Sequence, residues 1–153
     1  MSRILVTGAS GVVGGYVTQV FSEHELVLTD LASDLERMDV ADPGAVRDVV
    51  GSVSPDVVIH LAAATDVDLC EKDPDLAFRT NALGTQNVAL ACRNASAVLV
   101  YTSTAGVFGG DKHSRTQSST IPALRTSTAT RSSQANGSSR RCSTATTSFA
   151  RTG

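Results

Sequence analysis

Three glycines in eight residues, Thr7-Gly8-Ala9-Ser10-Gly11-Val12-Val13-Gly14, separate an apolar run from a segment with helical spacing. The run before them, Arg3–Thr7 (RILVT), reads as a buried strand, and Gly11–Phe21 (GVVGGYVTQVF) reads as a helix. A glycine at 8 permits a tight turn off the strand. One at 11 lets another molecule approach the backbone with no Cβ in the way, and one at 14 lets the helix pack closely on a sheet. The second apolar run, Glu25–Thr29 (ELVLT), closes on Asp30, 19 residues after Gly11. Strand, glycine turn, helix and delayed acid form the context in which a helix N-terminus receives a dinucleotide pyrophosphate. The candidate contacts are Gly8, Ser10, Gly11, Val12, Val13 and Gly14, with the Asp30 carboxylate on the adenine-ribose hydroxyls.

The rest of the first 112 residues repeats the alternation. Arg37–Val40 reads as a short third strand closed by Asp39, with too little chain in Leu31–Glu36 for a helix before it. Asp42-Pro43 has the form of an N-cap followed by proline at the first helical position, opening a helix to about Ser52. Asp56–Ala63 (DVVIHLAA) is a fourth strand, too apolar for either face to be exposed. Asp73-Pro74 repeats the cap and opens a long helix to about Arg93, and Ala97–Thr102 is a fifth strand. Apolar strands alternating with capped helices imply an α/β fold, a doubly wound parallel sheet of about five strands.

A carboxylate at position 30 repels a 2′-phosphate, and Leu31 and Ala32 supply no adjacent arginine to hold one, so NAD(H) is favoured over NADP(H). Asp39 and Val40 flank the adenine or simply end a strand; the residues leave both open. His60, inside an apolar strand, reads as a core histidine. Cys70, Cys92 and Cys142 form no CxxC pair or Cys/His cluster, so no metal is expected and the thiols read as reduced. The N-terminal apolar run is too short for a signal peptide or a membrane span, so a cytoplasmic chain with no membrane contact is expected.

The motifs TGASGVVG, DVAD (Asp39–Asp42), PDVVIHLAAATDVD (Pro55–Asp68), NALGTQN (Asn81–Asn87) and YTSTAGVFGG (Tyr101–Gly110) resemble, in order, those of extended short-chain dehydrogenase/reductases, the NAD-dependent epimerase/dehydratase superfamily. The stretch Thr65–Ala77 (TDVDLCEKDPDLA) is most similar to the dTDP-4-dehydrorhamnose reductase branch. The resemblance implies a Rossmann-type domain over 1–112 and NAD(P)-dependent hydride transfer at C4 of a nucleotide sugar. It also implies that Leu61, Ala62 and Ala63 pass beside the cofactor. Asn81 braces the site's backbone, though a satisfied helix-surface amide is open too. Thr104, with Ser103 beside it, is the catalytic hydroxyl toward the substrate carbonyl. A sugar-nucleotide epimerase or dehydratase, or a non-catalytic dinucleotide-binding module, remains the alternative. The family is homodimeric, an assembly doubtful for this chain, which lacks the helices that carry it.

Residues 113–153 break the pattern. All 15 acids lie in Met1–Lys112 against 7 Lys or Arg, whereas His113–Gly153 hold 6 Arg and no acid. Those 41 residues include 10 Ser and 9 Thr, too little apolar area to offset the entropy of ordering, so this low-complexity tail is expected to be disordered. No aromatic residue is interleaved with Arg115, Arg125, Arg131, Arg140 or Arg141, so nucleic-acid stacking is not expected. The resembled family needs a tyrosine followed four residues later by a lysine as its acid/base pair. The tyrosines here are Tyr16 and Tyr101 and the lysines Lys72 and Lys112, so the pair is missing and the chain is expected to be inactive. Joining the third base of each codon to the first two of the next permits another reading. Arg115–Thr120 can become PYTEFD, and Thr126–Asn136 can become NVYG-x-(S/T)-K-x-x-GE, which is how the family continues. The tail is therefore read as out of frame from about Lys112.

Overall fold

The computed structural model describes residues 1–32 and 34–104. Five parallel strands form one sheet in the order β3-β2-β1-β4-β5: β1 Arg3–Thr7, β2 Glu25–Asp30, β3 Glu36–Arg37, β4 Val57–His60 and β5 Val98–Tyr101. Helix α1 is Val12–Val20, α2 is Pro43–Val53, and α3 (Val67–Lys72) precedes a continuous helical rod. The rod consists of α4 Pro74–Ala77, a π-helical stretch Phe78–Gly84 and α5 Thr85–Ala95. The expected Rossmann-type doubly wound parallel sheet is present, and among the described residues no helix lies between β2 and β3.

Alternation along the buried strands sends successive side chains to opposite faces. Leu5, Val58 and Leu99 point toward Val46 and Val50 of α2 and Val88, Ala91 and Cys92 of α5. Ile4, Val6 and Ile59 point the other way, toward Val17 of α1 and Phe21 just past its end. The sheet is therefore wound on both sides, which is why β1, β4 and β5 are apolar at nearly every position.

The cap signals hold. Asp42 accepts from the Gly44 and Ala45 amides, with Pro43 in the first turn, and Asp73 accepts from Leu76 N with Pro74 following. Asp66 caps α3 by accepting from Leu69 N. Strand lengths differ from expectation. The third strand is two residues, Glu36–Arg37, rather than Arg37–Val40, because Met38 and Val40 turn into the α2–α5 core. The fourth ends at His60 and the fifth at Tyr101, each short of the expected end. The long helix is not regular: its backbone widens to π geometry over 78–84.

Exposed apolar side chains include Val12, Val13, Tyr16 and Val20 on α1, and Val98 and Val100 of the edge strand β5 are only partly buried. Among the described residues no helix is long and apolar enough to cross a membrane, and no group of three His, Cys, Asp or Glu could hold a metal. The disorder expected for His113–Gly153 lies outside the described residues.

Candidate dinucleotide site

Parallel pairing brings the C-terminal ends of the strands to one edge. Thr7 is opposite Thr29 and His60, and His60 is opposite Tyr101. In open parallel sheets that edge is where ligands bind.

The chain leaves β1 through Gly8, whose φ of +69° favours glycine. A Cβ there would also stand 2.6 Å from the Ala62 amide nitrogen and 2.8 Å from the Leu61 carbonyl carbon. At Gly14 a Cβ would collide with the Ala9 backbone, lying 2.6 Å from its carbonyl carbon, so the missing side chain lets α1 start directly on the turn. Gly11 is less crowded, with the Gly8 carbonyl oxygen 3.3 Å from a Cβ position, and it is solvent-exposed.

Gly11 is the N-cap of α1, extended at φ −71° and ψ 166°, with no side-chain cap and no acid in the first turn. The contrast with α2, α3 and α4, each capped by an aspartate, is chemical. Those three helix starts spend a carboxylate on their amides, whereas α1 presents its positive end without one. Val12 and Val13, exposed at that end, leave it open to solvent. An anion of pyrophosphate type fits this cradle.

Asp30 lies beside the turn. Its Oδ2 accepts from Ser10 N at 3.0 Å and Ser10 Oγ at 2.6 Å, and its Oδ1 from Leu31 N at 2.7 Å and Ala32 N at 3.3 Å. Partial burial opposes ionisation, but these bonds, led by those from Ser10, outweigh it and hold the carboxyl below its usual range. The acid is thus ionised and latched to the glycine turn. The structure adds a neighbour that adjacency in sequence concealed. Arg37 pairs with Asp30 across β2 and β3, and its Nη1 donates to Leu31 O at 3.1 Å. An arginine therefore stands at the acid's shoulder although Leu31 and Ala32 offer none.

Leu61 and Ala62 are brought against Gly8, as their backbone distances show, and Ala63 next to them is exposed. Asn81 is 4% exposed; its Oδ1 accepts from Ala64 N at 2.8 Å and its Nδ2 donates to Ala64 O at 2.9 Å. This two-point clamp on the loop after β4 removes the surface-amide alternative. Asp39 accepts from Ala41 N at 2.8 Å, while the Val40 side chain is buried in the α2–α5 core away from the glycine turn. Ser103 and Thr104 are exposed just beyond β5, on the same edge. The Gly-rich continuation after Thr104 lies outside the described residues.

The core reading of His60 holds: it is 1% exposed, and burial pushes its pKa down to about 4, so the ring is neutral. Sequence reasoning missed its partners. Thr7 Oγ1 lies 2.7 Å from Nδ1 and Thr85 Oγ1 3.1 Å from Nε2, and Tyr101 stacks on the ring at 5.8 Å. The available signal was that a histidine in a doubly covered strand must find hydrogen-bond partners, and Thr7 occupies the adjacent register position.

Comparison with known proteins agrees with this geometry. The family described as RmlD substrate binding domain matches residues 1–129. The dTDP-4-dehydrorhamnose reductase of Streptomyces griseus is 41% identical over 108 residues, covering 71% of this chain and 35% of the relative. The chain thus spans about a third of the length of the curated relatives it matches. The methionine adenosyltransferase 2 subunit beta of Xenopus laevis is 31% identical over 113 residues, 71% of this chain and 34% of that protein. Among solved structures, the dTDP-4-dehydrorhamnose reductase of Bacillus anthracis in complex with NADP superposes with a TM-score of 0.84 at 31% identity. That superposition covers 92% of this chain and 49% of the other. The UDP-glucose 4-epimerase of Thermus thermophilus in complex with NAD gives 0.79 at 26% identity over 88% and 49%.

Proposed function

This chain belongs to the RmlD substrate binding domain family, and from that premise we propose that it is the dinucleotide-binding part of an NAD(P)-dependent sugar-nucleotide oxidoreductase of dTDP-4-dehydrorhamnose reductase type. The observation that carries the reading is the uncapped start of α1 at Gly11, exposed beside Gly8 and facing the latched Asp30. Gly8 to Gly14 would hold the pyrophosphate through backbone amides, and Asp30 would exchange its bond from Ser10 for one from a ribose hydroxyl. Leu61, Ala62 and Ala63 would line the path toward the nicotinamide, with Asn81 fixing the loop that carries them. In the whole family protein, a bound reduced dinucleotide would supply the hydride for C4 of the nucleotide sugar. Thr104, with Ser103 beside it, would hydrogen-bond the sugar carbonyl at the mouth of the same edge. The whole family protein would be a cytoplasmic biosynthetic reductase, of which this chain carries the dinucleotide-binding part.

NAD(H) is the favoured cofactor, because a 2′-phosphate would meet the ionised Asp30. Arg37, in register with Asp30 and bonded to the Leu31 carbonyl, would soften that exclusion by reaching the added phosphate. Calorimetric titration of the 153-residue chain should show NAD binding more tightly than NADP, and Arg37→Ala should widen the gap. Turnover of NADH with dTDP-4-dehydrorhamnose should be negligible, because no Tyr and Lys stand four apart in this sequence. A folded sample with no affinity for either dinucleotide overturns the reading.

A further inference from the structure

The hydrogen bonds around His60 run in one direction, and they end on the loop that carries the cofactor-side alanines. Thr85 Oγ1 donates to the Asn81 carbonyl at 2.9 Å, which uses its single proton. Facing His60 Nε2 at 3.1 Å, the same oxygen must then accept, so Nε2 carries the hydrogen. The ring is neutral, so Nδ1 is a lone pair and accepts from Thr7 Oγ1 at 2.7 Å. Thr7 Oγ1 in turn accepts from the Ala62 amide at 3.2 Å. The opposite tautomer breaks this count: Thr85 would have to turn its proton to Nε2 and abandon the Asn81 carbonyl. It would also leave the Thr7 proton without its acceptor. The chain thus reads Ala62 N–H to Thr7, Thr7 to His60, His60 to Thr85, and Thr85 to Asn81. The side chain of Asn81 then returns to Ala64 through two bonds. Residues 62 and 64, on the loop against Gly8, are tied to opposite ends of one buried relay.

We propose that His60 is a positioning residue for the dinucleotide site: fixed as its Nε2–H tautomer, it holds the 61–64 loop against the glycine turn through Thr7 on one side and Thr85 and Asn81 on the other. The proposal rests on the dinucleotide reading for its functional consequence, but the relay itself can be read without any ligand. Burial of Thr7, His60, Asn81 and Thr85 makes the arrangement costly to leave half-satisfied, which is why loss of one link is felt at the others.

The test uses the 153-residue chain. Nitrogen-15 correlation spectra of the ligand-free protein should show a protonated Nε2 and an unprotonated Nδ1 for His60. Thr85→Val, which removes the far link and touches nothing in the glycine turn, should speed amide exchange at Ala62 and Ala64. It should also raise the Kd for NAD about tenfold with the circular dichroism of the native fold retained. His60→Gln, which keeps a donor toward Thr85, should stay closer to wild type than His60→Leu. A protonated Nδ1, or a folded Thr85→Val variant with unchanged exchange at both alanines, overturns the proposal. Should the wild-type chain bind neither NAD nor NADP while the tautomer and exchange results hold, the cofactor reading fails and the relay stands as the device that orders the loop.

Discussion

At the scale of single residues the site is governed by where side chains are missing and where protons are held. Gly8 combines a left-handed φ with backbone 2.6 Å from any Cβ. Gly8→Ala should therefore cost about 2–5 kcal/mol, the sum of a left-handed penalty and overpacking, measured by chemical denaturation. Asp30 should titrate below the ordinary carboxylate range in carbon-13 spectra, and Ser10→Ala should move it upward by removing the hydroxyl bond. Because its folded pKa is depressed, Asp30 contributes stability above the unfolded value and loses it as pH falls through the folded one. His60 acts on a different window. Its folded pKa of about 4 lies below the ordinary 6.5, so the unfolded chain takes up the proton first. The Tm should fall as pH drops from 6.5 toward 4, and His60→Gln should flatten that slope. Gly8, Gly14 and Asp30 were legible in the sequence because local backbone geometry and charge dictate them. Arg37 was not, since strand pairing rather than sequence adjacency sets it beside Asp30.

Among the elements, helix starts were the most readable. Asp-Pro at 42–43 and 73–74 each signals a side-chain acceptor followed by a preset φ, and both caps form. Asp42→Ala should destabilise the protein by about 1 kcal/mol in thermal or chemical melts, with α2 starting later. The same logic makes the uncapped α1 informative, because its first amides have no side-chain acceptor and so suit the phosphate of the proposed dinucleotide. The π-helical stretch was not legible. The apolar period of Pro74–Arg93 fits a regular helix, and one widened turn does not disturb it enough to be seen. The widened turn accompanies inward placement of Asn81, Gly84 and Thr85, aimed at Ala64, Val40 and His60 respectively. Those targets come from a loop, the turn before α2 and strand β4, so contacts between elements select the wider turn.

For the whole molecule, the sheet order and its two covered faces over the described residues follow from apolar strands alternating with helices. The gene over codons 109–136 should contain, one frame over, a tyrosine codon overlapping Thr128 and a lysine codon four positions on. Nucleotide sequencing checks this, and a shifted frame without those two codons removes the out-of-frame account of the tail. By itself the sequence determined the fold class, the glycine turn, the acid that follows it and the capped helix starts. All of these depend on side-chain volume, backbone freedom or charge within a few residues. Only the tertiary structure decided which hydroxyls meet His60, that Asn81 clamps Ala64, and that Arg37 stands beside Asp30. Parallel register and helix packing join residues 7 and 60, 60 and 85, and 64 and 81. A hydrogen bond depends on distance and direction in space, which separation along a chain does not encode.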